Sequence, residues 1–237
     1  MALPQEPRHE PMFKAPAVVL VLIALLVAAH LARVWLLSAP AAEEVITNYG
    51  FVPLRYAPGV LEPGSFIERA IPFVSHMFLH ADAMHLTVNC LWLLAFGPVV
   101  ARRYGTLAFL LFFLVCGVAA AGIHLALNWR DGGVIIGASG AISGLMAAGI
   151  RMLRPPPQDN PPETALAPIL SPQVLMFSAL WIAINLAVGL GGLDVFGQDH
   201  QIAWQAHLGG FFVGLLLCGP FDRFVGPGLE TEPTDPT

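Results

Sequence analysis

The chain has 237 residues and a formal net charge of -5; only 11% of its residues are charged and 56% are apolar, against about 25% charged in soluble proteins. Water is therefore not its main solvent, and a soluble enzyme is excluded. The only adjacent basic pair, Arg102-Arg103, offers phosphate backbones nothing extended to bind, and Cys90, Cys116 and Cys218 lack metal-ligand spacing, so no nucleic acid, cofactor or metal is expected.

A helix rising 1.5 Å per residue needs about 20 apolar residues to cross about 30 Å of hydrocarbon. Residues 1–15 precede the first such run and read as a cytoplasmic N-terminal segment. The run Pro16 to Ser38 is too long, and its far end too poor in small residues, for a cleaved signal peptide, and predicts a permanent span. The stretch Ala39 to Asp82 carries several prolines together with Phe66, Ile67, Ile71, Phe73, Met77 and Phe78. A connection of that size is usually functional, and its pattern predicts short amphipathic pieces at the outer interface. Further spans are predicted over Ala83 to Ala101, Thr106 to Leu127, Gly133 to Ile150, Pro172 to Leu193 and Ile202 to Pro220. Arg154 to Pro168 reads as a flexible linker, and residues 221–237 as a polar, disordered tail. The expected fold is an all-α membrane protein with one six-helix domain over 16–220.

Lys and Arg resist translocation and so set the orientation. With the N-terminus inside, Arg8, Lys14, Arg102, Arg103, Arg151, Arg154 and Arg223 stay cytoplasmic, whereas Arg55, Arg69 and Arg130 face out. This predicts an N-in, C-in topology. Arg33, near the outer end of the first span, is expected to snorkel to the interface.

Polar side chains inside spanning helices are costly and default to functional hypotheses. His85 and Asn89 open the second predicted span, Ser139 and Ser143 lie in the fourth, Asn185 in the fifth and His207 in the sixth, with no Asp or Glu in any span. Spans two, four and six all enter from the same side. Ser139 and His207 each fall about five residues below the start of their spans, or roughly 8 Å, while His85 and Asn89, one turn apart, reach a similar depth. Gly137, Gly140 and Gly144 surround Ser139, and Gly209, Gly210 and Gly214 follow His207. Small-residue faces bring helix backbones close, near enough for a serine to reach an imidazole, as activation of a nucleophile by a general base requires. His85 and Asn89 are then suited to stabilise an oxyanion. Ser143 is expected to bond its own i−4 carbonyl, Asn185 to pack between helices, and Trp35, Trp129, Trp181 and Trp204 to anchor at interfaces. The Gly189 to Gln201 segment, rich in glycine, is expected to form a mobile cap.

Gly137-Ala138-Ser139-Gly140, Ala206-His207-Leu208-Gly209-Gly210 and His85-Leu86-Thr87-Val88-Asn89, in this order and layout, resemble the rhomboid intramembrane serine proteases. The resemblance runs from about Pro16 to Pro220. It implies a six-transmembrane rhomboid-like bundle in which Ser139 is the nucleophile and His207 the general base, with His85, Asn89 and the Ser139 backbone N–H as the oxyanion hole. His80 also matches a recurring loop histidine. The first loop lacks the Trp-Arg pair of many members, and Ser143 stands where some carry a tyrosine against the catalytic imidazole. The implied partners are the lipid bilayer and membrane protein substrates whose transmembrane helices are weakened near the outer face. The layout, without an organelle presequence, suits a bacterial inner membrane with the site on the extracytoplasmic side. The competing class is a catalytically inactive scaffold that binds membrane helices on the same fold.

Overall fold

The computed structural model describes residues 15–60, 66–153, 166–191 and 203–225. Residues 1–14, most of the expected linker, the tail beyond 225 and residues 192–201 of the expected cap lie outside them. The described elements are helical: α1 (Ala17–Leu36), α2 (Ala39–Tyr49), α3 (Phe66–Ala70), α4 (Pro72–Ser75), α5 (Ala83–Leu127), α6 (Ser139–Met152), α7 (Pro172–Gly191) and α8 (Trp204–Val225), with 3-10 turns at Pro53–Tyr56 and His76–Phe78. Among them α1, α5, α7 and α8 are long and apolar enough to cross a membrane.

Three of the expected spans take a different form. The second and third are joined in α5, whose 45 residues measure about 68 Å, twice a bilayer core. The helix is interrupted at Gly105, where φ 74 and ψ 174 are non-helical, a conformation that a residue without Cβ adopts at little cost. The fourth begins at Ser139 instead of Gly133 and has 14 residues, about 21 Å. The reason is local. Ile135 forms an antiparallel bridge with Phe51 through N–H···O bonds of 2.8 and 2.9 Å, and Gly137 takes φ 116; both keep residues 133–137 out of the helix.

The helices turn apolar side chains outward as well as inward. On α1, Val19, Leu22, Leu26 and His30 are buried while Leu20, Val21 and Leu25 are exposed, the pattern of a helix solvated by lipid. α6 sits at the centre and is buried along nearly its whole length, from Gly140 to Gly149. Its neighbours approach on glycines. A Cβ on Gly210 or Gly214 would be driven into the backbone of Gly140 or Gly144, and one on Gly140 would lie 2.6 Å from the Ala120 Cβ. This contact lets the backbones of α6 and α8 touch.

The other end of the bundle is held by polar ties. Arg103 grips the Asp222 carboxylate through Nε and Nη2, and the Tyr104 hydroxyl donates to the Cys218 carbonyl at 2.9 Å. Arg151 donates to the carbonyls of Leu215 and Ala167. These ties correct the expected boundary at residue 220: α8 continues through Pro220 to Val225, because Phe221 packs against Tyr104 and Phe112 and Asp222 is bound to Arg103.

The long connection after α1 is organised around aromatic contacts. Phe51 stacks on Tyr56 at 5.1 Å and meets Phe73 edge-on at 4.7 Å, and the Ser75 hydroxyl donates to the Tyr49 carbonyl at 2.6 Å. Phe66 and Ile67 of α3 stay exposed. Arg33 does not snorkel outward. Its Nη2 donates to the carbonyls of His80 and Ala81 at 2.7 and 3.1 Å, since the connection folds back over the end of α1 and brings those acceptors within reach.

Candidate active site

Three helix N-termini meet at one level. Ser139 is the first residue of α6, His207 the fourth of α8 and His85 the third of α5. Starting α6 at Ser139 has a chemical consequence, because the first N–H groups of a helix have no intrahelical acceptor. The Ser139 N–H and its neighbours in that turn are therefore without intrahelical acceptors, at the end of the helix where the backbone dipole favours negative charge.

The Ser139 Oγ lies within hydrogen-bond distance of His207 Nε2, at 2.8 Å. The pair expected from spacing and small-residue faces is thus brought into contact, and the glycine-on-glycine packing of α6 and α8 is what makes the reach short enough. Ser143, one turn below, donates its hydroxyl to the Ser139 carbonyl at 2.7 Å, the i−4 bond expected of it.

On the other side of the serine stands His85. The Asp82 carboxylate caps α5 by accepting from the His85 backbone N–H at 2.8 Å, which fixes the first turn and with it the direction of the ring. A Cβ built on Gly137 would fall 2.7 Å from His85 Nε2 and 3.7 Å from Ser139 Oγ. The missing side chain therefore leaves open the space between imidazole and hydroxyl. Asn89 lies one turn deeper on α5 and donates from Nδ2 to the His85 carbonyl at 2.9 Å, with its Oδ1 buried and unpartnered. An amide nitrogen has two hydrogens, so the second remains for another acceptor.

His80 is buried edge-on against His85, with ring centroids 5.2 Å apart. Burial, reinforced by the neighbouring His85 and His30, pushes its pKa down to about 3. It stands neutral behind the site. His76, also in the connection, donates from Nδ1 to the Pro72 carbonyl at 2.8 Å, and its own carbonyl accepts from the Gly137 N–H at 2.8 Å, tying the loop to the segment that presents Ser139.

Two residues take places that the sequence reading did not give them. Asn185 does not simply pack between helices: its Oδ1 lies 3.0 Å from His207 Nδ1. Trp181, one turn away on α7, is not an interfacial anchor but lies against the same imidazole, with ring centroids 6.4 Å apart and planes tilted by 33°. The signal for Asn185 was present. It sits six residues before the end of α7 at Gly191, roughly 9 Å along the axis, a depth like that of Ser139 and His207. Comparing depths only among helices running in one direction missed it.

A bundle of apolar helices around a partly buried Ser-His contact defines an integral membrane protein with a hydrolase-like polar centre. The chain belongs to the rhomboid family: the Rhomboid domain model matches residues 68–221, which include every residue of the site. It is similar to the protein named Rhomboid protease GlpG of Serratia proteamaculans (31% identical over 146 residues, 62% of this chain and 46% of the relative). It is also similar to Rhomboid protease AarA of Providencia stuartii (32% over 155 residues, 60% and 52%) and to RHOMBOID-like protein 6, mitochondrial, of Arabidopsis thaliana (28% over 196 residues, 76% and 57%). The chain spans about half the length of the curated relatives it matches.

Proposed function

We propose that the chain is an intramembrane serine endopeptidase that hydrolyses peptide bonds in or near the transmembrane segments of membrane proteins. The observation that carries this reading is the 2.8 Å contact between Ser139 Oγ and His207 Nε2 at the start of a helix whose first N–H groups lack acceptors. Ser139 attacks the peptide carbonyl carbon while His207 Nε2 takes the hydroxyl proton. The carbonyl oxygen becomes an anion, stabilised by the Ser139 N–H, His85 Nε2 and the second hydrogen of Asn89 Nδ2. His207 then returns the proton to the leaving amine as the C–N bond breaks. Water attacks the resulting ester, again deprotonated by His207, and frees the new carboxylate and the serine.

The same reading sets the topology. The break at Gly105 divides α5 into two passes and α6 is a short central helix, which with α1, α7 and α8 gives six helices. The distribution of basic residues places both ends in the cytoplasm, and the site on the extracytoplasmic side. We assign the chain to a bacterial inner membrane; relatives with mitochondrial and chloroplastic names make the compartment a point to test. Substrates are single-span proteins whose helix is weakened by Gly, Pro or small residues near the outer face, since a regular helix shields its own peptide bonds. An inactive scaffold has less support, because Ser139 and His207 lie in contact with groups suited to stabilise an oxyanion beside them.

The test is cleavage of a single-span reporter by the purified protein in lipid, together with labelling by a fluorophosphonate. Both are expected for wild type and lost in Ser139→Ala and His207→Ala at equal expression. Cleavage retained in Ser139→Ala removes the serine from the mechanism, and no labelling of wild type supports the scaffold.

A further inference from the structure

The amide of Asn185 is fixed from both ends. Its Nδ2 donates to the Trp181 carbonyl at 2.9 Å, an oxygen that can only accept, so the amide oxygen is the atom turned to His207 Nδ1 at 3.0 Å. That oxygen carries no proton. The contact is therefore a hydrogen bond only when Nδ1 is the protonated nitrogen. A neutral imidazole has one N–H. Placing it on Nδ1 leaves the lone pair on Nε2, the atom that accepts from the Ser139 hydroxyl at 2.8 Å. In the opposite tautomer two lone pairs oppose each other at Asn185, and Nε2 offers the serine a hydrogen instead of a base.

Asn185 is 4% exposed, so bulk water does not substitute for its oxygen. When His207 holds the serine proton, Nδ1–H still points at the same acceptor, and the ring keeps its orientation through the proton transfer. We infer that Asn185 is the positioning residue of this site, selecting the Nδ1–H tautomer of His207 and thereby keeping Nε2 as the base. The inference rests on the proposed roles of Ser139 and His207.

It is tested with the full chain in lipid discs, comparing wild type with Asn185→Leu, which removes the acceptor, and Asn185→Asp, which retains it. Reporter cleavage gives kcat and KM, and nitrogen NMR of labelled histidine gives the His207 tautomer. Asn185→Leu is expected to lose about 10²-fold or more in kcat with KM changed less than about threefold, and to lose the pure Nδ1–H signature. Asn185→Asp is expected to restore that signature and kcat to within about tenfold of wild type. The inference is overturned by a folded Leu variant with wild-type kcat, by wild-type His207 carrying its proton on Nε2, or by an Asp variant as inactive as Leu. Where Asn185→Leu does not fold, Asn185→Ala is read in its place. A wild type that neither cleaves nor labels sinks the protease reading, while the tautomer in wild type and variant still decides the role of Asn185.

Discussion

Gly137 stands between His85 and Ser139 with the one side chain that leaves the space between them open: any Cβ there would lie 2.7 Å from His85 Nε2. Its φ of 116 adds backbone strain for any other residue. Gly137→Ala is therefore expected to displace His85 and to lower kcat by about 10²-fold, the usual effect of one lost oxyanion donor. Steady-state cleavage with a thermal melt of the same sample checks this; full activity in the alanine variant would show that His85 does not act from its present position.

The contact between α6 and α8 predicts a stability effect apart from chemistry. A Cβ on Gly210 meets the Gly140 carbonyl, and backbone cannot give way as a side-chain tip does. Gly210→Ala is expected to cost about 3 kcal/mol, the upper end for overpacking, and to lengthen the Ser139–His207 distance. A lowered thermal midpoint together with slower fluorophosphonate labelling is the expected pair of results, and an unchanged midpoint contradicts it.

Arg33 holds two loop carbonyls just before the turn that leads into His85. Charge-assisted hydrogen bonds contribute about 1.5–3 kcal/mol, and Arg33→Ala leaves both acceptors without this donor. We expect about 2 kcal/mol of lost stability and a loss in kcat greater than the change in KM. Arg33→Lys recovers only part, because the ammonium sits on a shorter stem and lacks the planar fork. Denaturation and kinetics on the two variants measure this; equal behaviour of Lys and Ala would remove the geometric argument.

Acid should loosen the connection between α1 and α5 before it affects the rest. Burial holds His76 at a pKa of about 4 and His80 at about 3, against about 6.5 when unfolded. The unfolded chain therefore binds protons first as the pH falls. The stability of burying these rings neutral is intact above about pH 6.5 and is lost progressively from there towards pH 4. One such ring accounts for ~2 kcal/mol at about pH 5. Thermal midpoints between pH 7 and pH 5 are expected to fall less steeply in a His76→Gln, His80→Gln variant than in wild type, and parallel slopes would contradict the assignment.

Much of this was legible in the sequence because lipid imposes simple rules. Runs of apolar residues located α1, α7 and α8 and both halves of α5 to within a few residues, and the scarcity of polar residues in those runs singled out Ser139, His207, His85 and Asn89. What the runs did not carry was the form of residues 133–138. Gly133-Val134-Ile135-Ile136-Gly137-Ala138 is as apolar as a helix, yet the pairing of Ile135 with Phe51, distant in sequence, and the positive φ of Gly137 keep it from forming one. Pro220 failed as a helix end for a similar reason, since the Arg103–Asp222 pair and Phe221 hold α8 together beyond it. Asn185 and Trp181 were visible as residues but not as partners of His207, because contact between α7 and α8 depends on tertiary geometry that no local pattern encodes.

Both supports of the His207 ring, Asn185 and Trp181, come from α7, which also carries the exposed Leu175, Met176, Leu180 and Ile184. The imidazole thus leans on a helix that also turns apolar side chains outward. Under the proposed mechanism the fluidity and thickness of the surrounding lipid become variables of the reaction, and a cleavage rate is to be measured in membranes of stated composition.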